Sequence, residues 1–368
     1  MAAELAVYWH PAVLAHDTGS GLWESPPSDL LAVQELHPEN AERVENMRSV
    51  LERGPIAARL AWRDGRFATV DELLVVHDED YVAAIHAASE AGGRRATATT
   101  VLSAGSWKAL QASAGTSIAA ADGAIAGEAP VTYALVRPPG HHAAPAREDG
   151  YCFFNNAALA AERFRAAGAE RVAIVDWDVH HGNGTQACFY DRDDVLTISI
   201  HMRHGSWGPS HPETGAPGES GLGAGAGHNV NVELRPGSGD AAYAEAFERI
   251  VAPVLARYRP DAVIGASGQD ASTFDGNGRM NVSMDGFHRI GRRLRDSAER
   301  AGAPLVLVQE GGYARTYAAY CLHATLEGVL GSERLLADPL AYLPDDPAHA
   351  RADLDAACAE HAERWGLH

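Results

Sequence analysis

The chain has 368 residues, 46% of them hydrophobic, with 30 Lys and Arg against 49 Asp and Glu. That is enough for one large α/β domain or two average ones, and a formal charge of −19 excludes a broad electrostatic grip on nucleic acid or an anionic membrane. No segment carries the roughly 20 apolar residues of a membrane helix, and the N-terminal MAAELAVYWHP has no basic leader region, so a soluble cytoplasmic protein is expected.

In chain order, the pattern predicts a strand at 5–9 (LAVYW), helices at 40–53, 71–90 and 104–126, and a strand at 132–136 (TYALV). A helix at 156–167 precedes strands at 171–178 (RVAIVDWD), 195–201 (VLTISIH) and 229–234 (NVNVEL). Then come a helix at 240–258, a strand at 261–267 (DAVIGAS), a helix at 285–301, a strand at 304–310 (PLVLVQE) and a helix at 349–364. Several strands are apolar without alternation, which suits a parallel sheet covered on both faces. No composition shift marks a boundary and no repeat is visible, so one domain over 1–368 is expected. Long loops at 10–39, 91–104, 138–150, 202–228 and 268–283 mostly follow strands and should gather at the carboxyl edge of the sheet, where open α/β sheets bind ligands. GLGAGAG (221–227) follows a loop rather than a strand, which argues against a nucleotide fingerprint. Cys152, Cys188, Cys321 and Cys358 form no CxxC pair and are expected to be free thiols.

Four strand ends carry polar groups. His141 and His142 follow TYALVRPPG, Asp176, Asp178 and His180 follow RVAIV, Asp270 follows DAVIGASGQ, and Tyr313 follows PLVLVQEGG. Singly, a loop histidine pair, a helix-capping Asp or a packed Tyr would account for most of these. The D-x-D-x-H spacing is different. In an extended chain it puts two carboxylates and an imidazole on one face, and such groups are seldom buried without a pairing partner or a metal. Asp178, His180 and Asp270 would give three ligands and leave a position for water, the pattern of catalytic zinc, with Fe(II), Co(II) or Mn(II) also possible for an oxygen-rich set. The histidine pair could move protons and Tyr313 could donate a hydrogen bond to a developing oxyanion, which together describe hydrolysis of an amide-like carbonyl.

RPPGHHA, DWDVHHGNGTQ, VLTISIH, NVNV, the SGQDA aspartate and QEGGY occur in the order seen in zinc-dependent histone deacetylases, and the sequence most resembles the class II group of bacterial histone deacetylase-like amidohydrolases and acetylpolyamine amidohydrolases. The likeness runs from HPENAERV (37–44) to EGGYARTYAAYC (310–321). It implies an arginase/deacetylase-type fold with a central parallel sheet of about eight strands. It implies Asp178, His180 and Asp270 as metal ligands and His141 as a buried histidine oriented by Asp176. His142 would be the general base and then acid, partnered by Asn183, and Tyr313 would polarise the carbonyl. Gly150, Tyr151 and Trp207 would line the substrate tunnel. One structural potassium would sit at Asp176, Ser199, Ile200 and the carbonyls of Asp178 and His180, and a second at carbonyls near Phe189, Arg192 and Val195. Related enzymes form dimers or tetramers, so a homo-oligomer is expected.

Three departures bear on the substrate. Tyr151 stands where the family usually has Phe, Gln269 precedes Asp270 with DGNGRM in place of an Asp-Pro segment, and 91–106 contains no acid where a rim carboxylate usually holds peptide amides. An acid from the 10–39 loop, Glu24 or Asp29, would be the alternative clamp. The substrate is thus expected to be a small acylated amine or acyl-lysine. Two other readings are a dinuclear manganese ureohydrolase, which needs further bridging carboxylates that Ala271, Ser272 and Asn183 do not provide, and an inactive acyl-ligand binder, which would not need the full set of polar groups.

Overall fold

The computed structural model describes residues 4–20, 28–205, 213–339 and 345–367. Ten strands occur among them. They are β1 (Leu5–Trp9), β2 (Leu60–Asp64), β3 (Gly93–Arg95), β4 (Val101–Ser103), β5 (Val131–Ala134), β6 (Val172–Asp176), β7 (Val195–Met202), β8 (Asn229–Leu234), β9 (Ala262–Ser267) and β10 (Leu305–Gln309). Eight form one sheet in the order β2-β1-β5-β10-β9-β6-β7-β8, and every pairing in it is parallel. Alternate residues of the inner strands enter different cores. Leu5, Val7, Ala173, Val175, Leu305 and Leu307 pack on one face, and Ala6, Tyr8, Val172, Ile174, Val306 and Val308 on the other. Helices cover both faces, so both residue sets must be apolar, which explains the uninterrupted hydrophobic runs.

The predicted strands all form, within a few residues of their expected ends. Four features differ. Strand β2 was not expected, because LAWRD is half-exposed at the sheet edge and lacks a buried-strand pattern. The 91–104 loop holds the β3–β4 hairpin. The stretch predicted as one helix over 71–90 is two, Val70–Leu73 and Glu79–Glu90. The break turns His77 inward, where its Nε2 accepts the Asn155 N–H at 2.9 Å and its Nδ1 meets the carbonyls of Ala144 and Pro145. Helices Asn183–Phe189 and Tyr317–Val329 were also unforeseen. GLGAGAG supplies only a short 3-10 turn before β8, and the four cysteines are unpaired. No helix among the described residues is long and apolar enough to cross a membrane.

A buried ion network fastens the N-terminal segment under the sheet's carboxyl edge. Glu39 Oε1 accepts from Arg137 Nε at 2.9 Å and Arg43 Nε at 3.1 Å, and all three side chains are inaccessible to solvent. Arg137 continues to the carbonyls of His16 and Val13, and Arg43 to that of Glu310. Burial alone would raise the Glu39 pKa, but Arg137 and Arg43 outweigh it and pull it down to about 2. Glu39→Gln should therefore cost about 3–5 kcal/mol at neutral pH, since it strands two buried cations. The sign follows from a folded-state pKa below the ordinary 4.5. The stabilisation is complete above 4.5 and is lost as pH falls towards 2. Urea unfolding of both proteins at pH 7 and pH 3 should show the gap narrowing in acid; an equal gap at both would refute the ionic account.

Candidate metal centre and catalytic groups

The central strands β5, β10, β9 and β6 are neighbours in the sheet, and their carboxyl ends deliver all the polar groups singled out by sequence. Asp178, His180 and Asp270 are buried, with one potential ligand atom each, all within 4.8 Å of one another. His180 Nδ1 lies 3.1 Å from Asp178 Oδ1 and 3.2 Å from Asp270 Oδ2. The other carboxylate oxygens are taken by backbone. Gly311 N–H donates to Asp178 Oδ2 at 2.8 Å and Val179 N–H to Asp270 Oδ1 at 2.9 Å. Gly311 must be glycine, since a Cβ there would sit 2.2 Å from Asp270 Oδ2.

These residues fit a divalent cation. Asp270 Oδ2 is buried without a hydrogen bond among the described residues. Burial and then the neighbouring Asp178 push the Asp270 pKa up to about 7. His180 is raised to about 10, as Asp178 and Asp270 overcome the burial that disfavours its charge. A cation between them would satisfy both carboxylates, and two carboxylates with one imidazole match zinc and its open-site relatives.

The two histidines lie side by side, ring centroids 4.1 Å apart, and are held differently. His141 Nδ1 meets Asp176 Oδ2 at 2.9 Å. Burial opposes charge on His141, yet Asp178 and Asp176 hold its pKa well above the usual histidine range. His142 Nδ1 meets the neutral Asn183 Oδ1 at 2.6 Å. Gly150 packs against His142 at φ 47°, where any Cβ would collide with the imidazole. Tyr151 follows at φ 72°, its ring centroid 5.5 Å from Tyr313 and 4.9 Å from His37. Burial, then Asp270 and Asp178, pushes the Tyr313 hydroxyl well above its usual pKa, so it remains a proton donor. Trp207 and Glu24 lie outside the described residues. Asp29 is exposed.

Asp176 and Ser199 are register partners on β6 and β7, with Ile200 next along β7. Phe189 and Arg192 close a turn just before Val195, the Arg192 N–H donating to the Phe189 carbonyl at 3.1 Å. Gln269 points away from the carboxylate group. Its Oε1 accepts from Gln309 Nε2 at 2.8 Å, and Gln309 Oε1 accepts from the Tyr133 hydroxyl at 2.6 Å.

Four residues without an assigned role prove close to the centre. Glu310 Oε2 accepts the N–H groups of Gly140 and His141, and burial lifts its pKa to about 8. Arg43 places its guanidinium 5.4 Å from the centre of the Tyr313 ring. Asp275 Oδ2 accepts from the backbone of Tyr313 and Ala314 at 2.6 and 2.9 Å. Asn277 Nδ2 donates to the Tyr151 hydroxyl at 3.0 Å. Glu310 and Arg43 lie inside the QEGGY and HPENAERV motifs, a signal available in the sequence. Asp275 and Asn277 lie in the DGNGRM departure, but nothing in that stretch alone indicates which groups they meet.

An all-parallel α/β sheet with a buried carboxylate–imidazole trio, a histidine pair and a tyrosine at its carboxyl edge defines a hydrolase of the metal-dependent deacetylase class. The comparisons agree: the histone deacetylase domain profile matches residues 37–329. Histone deacetylase 8 of Arabidopsis thaliana is 47% identical over 362 residues, spanning 97% of this chain and 96% of that one. The histone deacetylase-like amidohydrolase of Pseudomonas aeruginosa is 42% identical, spanning 90% and 86%. The crystal structure of the HDA15 HD domain superposes with a TM-score of 0.85 at 31% identity, over 100% of this chain and 96% of that one. The chain belongs to the histone deacetylase family.

Proposed function

We propose that this protein is a zinc-dependent deacylase that cleaves the amide of small acylated amines in preference to acylated peptides. The observation that carries the chemistry is the juxtaposition of the Asp178–His180–Asp270 group with His142 and Tyr313. A divalent ion held by that group would supply Lewis acidity and make water acidic enough to deprotonate near neutral pH. His142, with Asn183 fixing its Nδ1, uses Nε2 to take the water proton and return it to the leaving amine nitrogen. Tyr313 donates its hydroxyl proton in a hydrogen bond to the carbonyl oxygen as negative charge builds there. His141, held by Asp176 through Nδ1 at 2.9 Å, packs beside His142 and supports its position. Potassium at Asp176, Ser199, Ile200 and the carbonyls of Asp178 and His180 belongs to the same reading. Its support is the buried Asp176 carboxylate beside Asp178, whose charges repel. The second potassium, at the Phe189, Arg192 and Val195 carbonyls, is carried by resemblance.

The substrate preference rests on the rim. The β3–β4 hairpin within 91–106 carries no carboxylate. Its Arg94 is paired with Glu148, and Arg95 turns back to the Ala98 carbonyl. A carboxylate clamp on substrate backbone amides is worth about 1.5–3 kcal/mol per hydrogen bond. Without it, peptide KM rises while the chemistry is intact. The test is kcat/KM for an acetyl-lysine peptide against a small acetylated amine. The amine should be favoured, and a peptide preference of about tenfold or more, roughly 1.4 kcal/mol, would overturn the preference while leaving the deacylase reading in place.

A further inference from the structure

The turn after β9 reaches both tyrosines. Asp275 holds the Tyr313 backbone through Oδ2, and its Oδ1 accepts the Asn277 N–H at 2.9 Å. The turn thereby aims Asn277 at Tyr151, a non-glycine residue in left-handed backbone geometry, a conformation that surrounding contacts must maintain. Asn277 is 8% exposed and, with Tyr313, Leu36 and Phe274, lines a cavity of ≈ 310 Å³. One amide hydrogen goes to the Tyr151 hydroxyl, while the other and Oδ1 have no partner among the described residues. A nearly buried carboxamide with open hydrogen-bonding sites facing a cavity disfavours an apolar neighbour and favours one that can complete its bonds.

We propose that Asn277 is a specificity-determining residue, selecting acylated amines whose chain carries a hydrogen-bonding atom over all-methylene chains of equal length. The inference rests on the deacylase reading above. The Tyr151 hydroxyl fixes the carboxamide, whose free edge offers one donor and one acceptor. A methylene against that edge leaves both unmade, and an ether, hydroxyl or secondary ammonium completes at least one. The carboxamide is neutral, so it sorts chains by hydrogen bonding rather than by charge.

Two probes of equal length and charge isolate this effect: N-acetyl-1,5-diaminopentane and its analogue with the central methylene replaced by oxygen. The wild-type protein should favour the ether in kcat/KM. Asn277→Leu should lower the ether-to-methylene ratio by about three- to tenfold, the size of one net hydrogen bond, mainly through KM. Tyr151→Phe, which removes the anchor, should move the ratio the same way, and the double variant should go no further than Asn277→Leu. Metal content and melting temperature serve as folding controls. A ratio unchanged in both variants, or an equal fall in kcat for both probes, overturns the proposal and leaves Asn277 as a brace. If only peptides are cleaved, the same ratio is read from peptides bearing acetyl-lysine or its oxygen-substituted isostere. If wild type cleaves no acylated amine of either kind, the deacylase reading fails and the inference with it.

Discussion

Asp178→Ala and Asp270→Ala should each remove bound divalent metal and activity together. Elemental analysis of the wild-type protein should give one ion per chain, and of either variant nearly none. An open site of three protein ligands has no spare, and its two carboxylates carry the charge that balances the ion. The loss of turnover should be on the order of 1000-fold or more, because the ion is what brings the pKa of water from about 15.7 to about 7. Asp270 is the sharper test. Its Oδ2 has no hydrogen bond among the described residues, so Asp270→Asn removes a ligand charge while its Oδ1 contact to the Val179 N–H can persist. Two ions per chain with ureohydrolase activity would sink the mononuclear reading.

Tyr313→Phe should lower kcat by about 100- to 1000-fold with the metal still bound, the usual cost of one oxyanion donor. The ring should stay in place without its hydroxyl. Asp275 grips the Tyr313 and Ala314 backbone, Tyr151 packs edge-on against the ring, and the Arg43 guanidinium lies over it. His142→Ala should likewise lose turnover and keep the metal, since its Nδ1 bonds Asn183 rather than Asp178, His180 or Asp270. Full activity in Tyr313→Phe would reduce the tyrosine to a packing residue.

The sequence is most legible where one physical requirement dominates. Strands buried on both faces must be apolar throughout, and those runs are found within a few residues. The D-x-D-x-H run is equally plain, because clustered carboxylates have no packing explanation, although only Asp176 lies on β6 and Asp178 and His180 follow in the bend after it. The misses have opposite causes. Helix Tyr317–Val329 is buried nearly all round, so it shows little amphipathic period to detect. Strand β2 is the reverse, too exposed at the sheet edge to look like a strand. The break at 74–78 depends on what His77 meets across the fold. The same holds at the site. His142 and Tyr313 announce themselves through their motifs, whereas Asp275 and Asn277 act through backbone and hydroxyl groups that only the folded chain brings near.

The assembly of the centre from four adjacent strands sets the order in which this protein can mature. The Val179–Asp270 and Asp178–Gly311 bonds join residues 91 and 133 positions apart. Such distant partners meet late, since the entropy of closing long loops precedes any reward. A growing chain that ends before β9 holds Asp178 and His180 but not Asp270, and so has two of the three groups. On the proposed reading, three-ligand capture of an ion must await synthesis of Asp270 and the segment that carries Gly311.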